Sequence, residues 1–335
     1  MQLGLHLPNW SSDDSLLSPD RLRGFARRAE ELRFRSLWVI DHLTEPPSYN
    51  QSWLDPFVTL SHVAAATDRI DLGTGIYILP MREPVLAAKR AATLQHLSGG
   101  RFTLGVGLGY VRPDFEAVGV PFSERSPRFT EGLELVTRLL TEERVTFDGE
   151  FYSVEDFELE PQLRRPPAMV AAGGGTYRDE DKTHYGTEVD EDRYVPRAVL
   201  ERIARAGGWI APGQSVGKSE SDIERVNEFL VDEGVDPASV PRYAHNYVHV
   251  VPGVDSETAR EKQRAVFERY VGDRRPVEFA EENYLFGSVE EIRDQIERYE
   301  RAGFDQLILG PVAKDPAELD RQLELWADLF GDEYR

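Results

Sequence analysis

Eight short apolar runs punctuate this chain, and a stretch with helical spacing follows each of them. The runs are QLGLHLP, SLWVI, IDLGTGIYI, RFTLGVG, PAMVAA, GWIA, RYAHNYVHVV and QLILG. A parallel strand buried on both faces reads as a near-continuous apolar run, and parallel neighbours need a crossover between them, usually a helix. Local signals mark where those helices start. Ser18 before Pro19, Asp55 before Pro56 and Asp315 before Pro316 each set a capping side chain ahead of a first-turn proline. Ser288 with Glu291 spells a capping box, and Gly303 ends the helix it opens. Leu22, Phe25, Ala26, Ala29 and Leu32 form one apolar stripe. A further helix is expected from Ser126 and Pro127 to about Glu143, and another over SESDIERVNEFLVDEG. VTFDGEFYSV reads as a hairpin turning at Asp148 and Gly149. No linker and no internal repeat divides the 335 residues. The expectation is therefore an α/β fold, a single (β/α)8 TIM barrel over residues 1–335. Insertions are expected after strand 4 (about 110–125) and strand 5 (174–196), with an extra helix in 252–284 after strand 7.

Sixty acidic and 39 basic residues give a net charge of −21, which argues against nucleic acid or an anionic membrane as a partner. The acids are dispersed, as in TEVDEDRY and SETAREKQ. This reads either as the surface of a salt-loving organism's protein or as ordinary acidic solubility. No apolar run approaches a bilayer span. MQLGLHLPNW carries no basic segment followed by a long apolar one, so a cytoplasmic location is expected. The absence of cysteine removes disulfides, thiolate nucleophiles and cysteine-ligated metals.

In a barrel of this kind, chemistry gathers where strands end and the following loops begin. Those ends read Pro8-Asn9-Trp10, Asp41-His42, Gly75-Ile76, Gly107-Leu108-Gly109, Gly173-Gly174-Gly175-Thr176, Ala211-Pro212 and Gly310-Pro311. SLWVIDHL sends Leu37, Trp38, Val39 and Ile40 toward a core and stops on an acid beside an imidazole. That is either a capped strand end or a catalytic pair. Recurrent glycine permits the close backbone approach that a flat aromatic cofactor or a phosphate exploits. The glycines of AAGGGT offer backbone N–H groups to an anion, or else give a flexible start to the acidic insertion.

GVGLGY fails the dinucleotide fingerprint, because the sixth position is Tyr110 counted from Gly105 and Arg112 counted from Gly107. GQSVGKS has three residues between its glycines where a Walker loop has four, leaving a phosphate contact or a plain loop. His245 and His249 stand roughly 13 Å apart along a strand, too far to share a metal ion, and no metal site is expected. The paired carboxylates of a glycosidase are missing from the strand ends.

Taken together, these stretches resemble the bacterial-luciferase-like superfamily of flavin and deazaflavin enzymes over nearly the whole chain. The resemblance is carried by FARRAEELRFRSLWVIDHL, AAATDRIDLGTGIYILPMREPVLAAKRAATLQHLSGGRFTLGVGLGY, PPAMVAAGGG, VLERIARAGGWIAP and GSVEEIRDQIERYERAGFDQLIL. It implies coenzyme F420, with FMN as the alternative, in the barrel mouth and a non-proline cis peptide at Gly75-Ile76. It puts His42 near the reactive ring edge, with Asp41 orienting it or touching the ring. Gly107 and Gly109 would flank the ring, and Gly173, Gly174, Gly175 and Thr176 would take the phosphate. Asn9, Trp10, Trp53 and Tyr110 are expected to wall a small-molecule substrate pocket. The glycine triplet, the Asp-His pair and the acidic composition resemble the deazaflavin branch, and a haloarchaeal member, more closely. The expected activity is F420-dependent hydride transfer; the alternatives are an FMN monooxygenase using O2 and a non-catalytic flavin-binding protein. The glutamate that some deazaflavin sugar-phosphate dehydrogenases carry after strand 4 has no match, since Glu116 is displaced. Family members usually pair, so a homodimer is expected.

Overall fold

Parallel strands β1 (Gln2–His6), β2 (Ser36–Val39), β3 (Asp71–Thr74), β4 (Phe102–Gly107), β5 (Ala168–Ala172), β6 (Trp209–Ala211), β7 (Arg242–Val248) and β8 (Gln306–Pro311) close into a barrel. β1 pairs with β2 and β8, and β5 completes the ring by pairing with both β4 and β6. The computed structural model describes residues 1–11, 17–43, 52–177, 193–271, 276–331 and 333.

The two-residue period of a strand sorts its side chains between two layers. Leu3, Leu5, Leu37, Val39, Leu104, Val106, Leu307 and Leu309 face outward and pack with the helices. Trp38, Val170, Ile210 and Ile308 form a separate cluster inside the barrel. Gly73 is required there, because a Cβ would run into the Trp38 ring. Below that cluster the amino-terminal end carries a polar relay: Trp38 Nε1 donates to Ser36 Oγ at 2.7 Å, and Ser36 Oγ donates to Gln306 Oε1 at 2.6 Å. In a barrel of this kind chemistry gathers at the other rim.

Around the strands run α1 (Pro19–Glu31), α2 (Pro56–Ala64), α3 (Pro84–Leu97), α4 (Arg125–Thr141), α5 (Arg197–Ala206), α6 (Val216–Asp232), α7 (Val289–Ala302) and α8 (Pro316–Phe330). Ser18, Asp55 and Asp315 cap α1, α2 and α8 as their sequence implies. The Ser288–Glu291 capping box and the left-handed Gly303 (φ 95°) bound α7. The hairpin pairs Val145–Asp148 with Ser153–Phe157.

Three expectations are corrected. α4 begins at Arg125, ahead of Ser126, with no side-chain cap. α6 begins at Val216 under the Ser215 cap, so Gly217 and Lys218 lie in its first turn and GQSVGKS is no phosphate loop. Lys218 Nζ is buried and donates to Asn283 Oδ1 at 2.9 Å. The stretch after β7 carries two helices, Ser256–Val271 and Val277–Asn283, where one was expected. Val266, Phe267, Ala280 and Phe286 pack there with Val312 beyond β8. Within 110–125 lies a short helix, Arg112–Ala117. Of the 174–196 insertion, Thr176–Tyr177 pairs with Arg193–Tyr194, and 178–192 lies outside the described residues. Among the described residues no helix is long and apolar enough to cross a membrane.

Candidate active site at the carboxyl-terminal rim

A cavity of about 230 Å³ opens at the rim, with His42, Trp53, Ile76, Gly109, Tyr110 and His245 among its walls. Its shape follows from how the chain leaves β2 and β3. Beyond Val39, Asn9 fixes the backbone: its Nδ2 donates to Ile40 O at 2.8 Å and Leu54 O at 3.0 Å, and its Oδ1 accepts from Ile40 N at 3.1 Å. Asn9 is fully buried in that role and does not line the cavity, contrary to the pocket role expected of it.

The Gly75–Ile76 peptide is cis, as the resemblance implies, and both residues border the cavity. Asp41 anchors the segment that follows. Its Oδ2 accepts the Ile78 N–H at 2.9 Å, and Arg82 Nη2 lies 2.9 Å from Oδ1 and 3.1 Å from Oδ2. The Asp41 side chain is 1% exposed. Burial pushes its carboxyl up, while Arg82, the Ile78 N–H and His42 pull it back. Asp41 thus holds the Tyr77–Ile78 segment in place and has its main hydrogen bonds there.

The carboxylate beside the His42 imidazole is Asp114, with Oδ2 3.5 Å from Nδ1. Asp114 is fully buried and also accepts the Leu43 N–H at 3.4 Å. Trp53 and Tyr110 meet the His42 ring edge-on, with centroids 4.7 and 5.8 Å away. Trp10 stacks on Trp53 at 5.6 Å and faces a neighbouring cavity. Of the expected aromatic walls, Trp53 and Tyr110 therefore stand at His42, and Trp10 stands behind them.

The glycines divide in the same way. Gly109 borders the cavity at φ 73°, and a Cβ there would come within 2.5 Å of Ile78 Cγ2. Gly107 lies off the cavity and makes room for the Ile76 side chain. At the triplet, the Gly175 N–H donates to Asp222 Oδ2 at 3.0 Å, and Gln214 Nε2 donates to the same oxygen at 2.9 Å. Asp222 is 1% exposed, so a buried carboxylate already holds the amide assigned to phosphate. A Cβ on Gly174 would also crowd Asp222, at 2.6 Å. Gly173 offers its carbonyl to Trp209 Nε1 at 2.7 Å, and Thr176 pairs with Tyr194 in the short ladder.

A flat heteroaromatic ring fits this cavity. Ile76, Ile78 and Ile210 give it apolar faces, and aromatic rings enclose it. The enclosed Nδ1 of His245 has no hydrogen-bond partner among the described residues. The phosphate expectation at Gly175 does not fit. Arg82, Asp114 and Asp222 were invisible to sequence reasoning as site residues, because each meets its partner from a distant segment. His245 carried one signal, the alternation of β7, whose Ala244, Asn246 and Val248 are buried while Tyr243, His245 and Tyr247 are partly accessible. His249 turns elsewhere, with Nδ1 2.8 Å from Val312 O.

An eight-stranded barrel with a ring-sized cavity, a cis peptide and an imidazole at its carboxyl-terminal rim is what the resemblance to the luciferase-like oxidoreductases implies. Residues 1–179 match the family described as luciferase-like monooxygenase, and the chain belongs to that family. It is 29% identical over 316 residues to the F420-dependent glucose-6-phosphate dehydrogenase of Kineococcus radiotolerans, covering 89% of each chain. It is 28% identical over 340 residues to 4-hydroxyprotoasukamycin monooxygenase of Streptomyces nodosus subsp. asukaensis, covering 94% of this chain and 86% of that one. The fold superposes with a TM-score of 0.77 on an F420-dependent secondary alcohol dehydrogenase in complex with an F420-acetone adduct, at 18% identity and covering 98% and 97% of the two chains.

Proposed function

We propose that this protein is an F420-dependent oxidoreductase that moves a hydride between the deazaflavin ring and a carbon of a small organic substrate. The observation that carries this reading is the cavity bounded by the cis Gly75–Ile76 peptide on one side and His42 on another. The F420-dependent relatives support the choice of cofactor. When bound, the deazaflavin accepts or gives the hydride.

The protein's own residues do the rest. Gly75, Ile76 and Gly109 hold the ring, and Asp41 keeps that wall in place through Ile78 and Arg82. Trp53 and Tyr110 exclude water from the reacting carbon. His42 exchanges the accompanying proton: when an alcohol gives up a hydride, its hydroxyl proton passes to the imidazole. With Nδ1 turned to Asp114, that exchange takes place at Nε2. The cofactor's phosphate does not use the Gly175 amide, which Asp222 holds.

FMN-dependent monooxygenation is the second reading, supported by the monooxygenase relative. We also read the protein as a homodimer from a salt-loving archaeon, on the family resemblance and the net charge of −21; sedimentation at low and high salt tests both points. Fluorescence titration with F420 and with FMN tests the cofactor, and tighter binding of FMN overturns the choice. With F420 and a panel of secondary alcohols, His42→Ala lowers kcat by about 100-fold or more and leaves cofactor affinity unchanged.

A further inference from the structure

Two imidazoles sit inside the barrel, one of them on the wall of the His42 cavity, and neither has a role in the hydride-transfer reading. His6, on β1, is 2% exposed, and neither of its ring nitrogens has a hydrogen-bond partner among the described residues. His245, on β7, has its Nδ1 enclosed and unpartnered in the same way. The two rings meet edge-on with centroids 5.5 Å apart. Tyr247 lies parallel to His6 at 6.0 Å and edge-on to His245 at 6.1 Å.

These rings form the partition between two cavities. His245 lines the cavity that holds His42. His6 lines a neighbouring cavity of about 290 Å³ at the ends of β1 and β8, and Tyr247 lines both. The neighbouring cavity reaches solvent, where Arg269, Lys314 and Asp315 stand exposed on its wall.

Leaving buried ring nitrogens unpaired is costly, and buried polar groups without protein partners are commonly satisfied by ordered water. A neutral imidazole carries one donor and one acceptor nitrogen, so it can take a proton at one and release a proton from the other. Both rings meet that condition. Burial holds His245 down at about 4. Burial first, and His245 second, hold His6 well below the imidazole range, while the Trp38 carbonyl, outside hydrogen-bond geometry, pulls weakly the other way.

We propose that His6 and His245 form a water-bridged relay through which the His42 cavity exchanges protons with the neighbouring, solvent-open cavity. The need for such a route rests on the hydride-transfer reading above. Each hydride taken from an alcohol leaves one proton behind, and a ring and substrate filling the cavity would displace the water that could take it. The proton moves along the relay with charge and atoms conserved: one enters at His245, one leaves its other nitrogen for the water, the water passes one to a nitrogen of His6, and the other nitrogen of His6 releases one to water in the neighbouring cavity.

Two measurements test this. A crystal structure of the protein without cofactor, at a resolution that shows waters, is expected to place a water within hydrogen-bond distance of His245 Nδ1 and a nitrogen of His6. A dry gap between the rings overturns the proposal whether or not any cofactor binds. In the holoenzyme, His6→Phe keeps a ring against Tyr247, and kcat is expected to fall about tenfold with cofactor Kd unchanged. Added imidazole restores the rate in His6→Ala, whose lost ring leaves room for it, and His6→Gln, which keeps a donor and an acceptor but cannot pass a proton from one to the other, is expected to stay as slow as His6→Phe. Unchanged kcat in His6→Phe overturns the relay even where the water is present. Failure to turn over with either cofactor refutes the functional reading, and the bridging water then decides the relay by itself.

Discussion

Replacing Arg82 with methionine isolates the ion pair beneath the site. Arg82 Nη2 reaches both Asp41 oxygens, at 2.9 and 3.1 Å, and the side chains are 11% and 1% exposed. Two unit charges 4 Å apart attract by about 4 kcal/mol at an effective dielectric constant of 20. Removing one partner of a buried pair costs about 3–5 kcal/mol, because the other charge stays behind. Arg82→Met is therefore expected to lose about 3–5 kcal/mol near neutral pH in chemical denaturation. The sign of its pH dependence is fixed. Burial already raises the Asp41 carboxyl, and losing Arg82 raises it further, so acid neutralises the stranded group. The gap to the parent protein should narrow on acidification, by up to about 1.4 kcal/mol per pH unit. Adding Asp41→Asn removes the stranded charge and keeps an oxygen for the Ile78 N–H, so the double variant should recover much of the loss. A loss below about 1 kcal/mol, a gap that widens with acid, or a double variant no better than the single one refutes the reasoning.

Gly109→Ala should cost about 1–3 kcal/mol and weaken cofactor binding, because φ is 73° and the new methyl meets Ile78 Cγ2 at 2.5 Å. Gly99→Ala, at φ 69° with open space around it, should cost only about 1 kcal/mol in the same denaturation series and leave binding alone. Stability should fall as pH drops from about 6.5 toward 4, since the unfolded chain takes up protons that the depressed His245 ring refuses, for a total of about 3 kcal/mol. Depressed carboxyls such as Glu291, at about 2, add their loss at lower pH, so denaturation at intermediate pH should show a flatter profile for His245→Phe. An unchanged slope in that variant contradicts the assignment.

What the sequence made legible was local. Ser18, Asp55, Ser288 and Asp315 bond to amides three residues on, so their motifs state their own geometry. The barrel followed because apolar strands and capped helices alternate without a break. The start of α6 was misread because Gly217 interrupts the apolar pattern just where Ser215 supplies a cap. The cis Gly75–Ile76 peptide was legible through the family resemblance, and so were His42, Gly75 and Ile76 as residues of the cavity wall. The site was not legible where one segment meets another: Asp41 finds Arg82 across 41 positions and His42 finds Asp114 across 72. An acid in the first turn of a short helix reads as capping chemistry, and nothing local tells that Asp114 is buried against an imidazole. The contact that occupies the Gly175 amide was hidden for the same reason, because Asp222 reaches it from α6.

A crystal structure of the protein with F420 bound tests the account most directly. The account predicts the deazaflavin ring against Ile76, with its edge toward His42 and Tyr110, in the cavity of about 230 Å³. A ring lodged instead beside Trp10, Arg269 and Lys314 in the neighbouring cavity, or bound away from the rim, contradicts it.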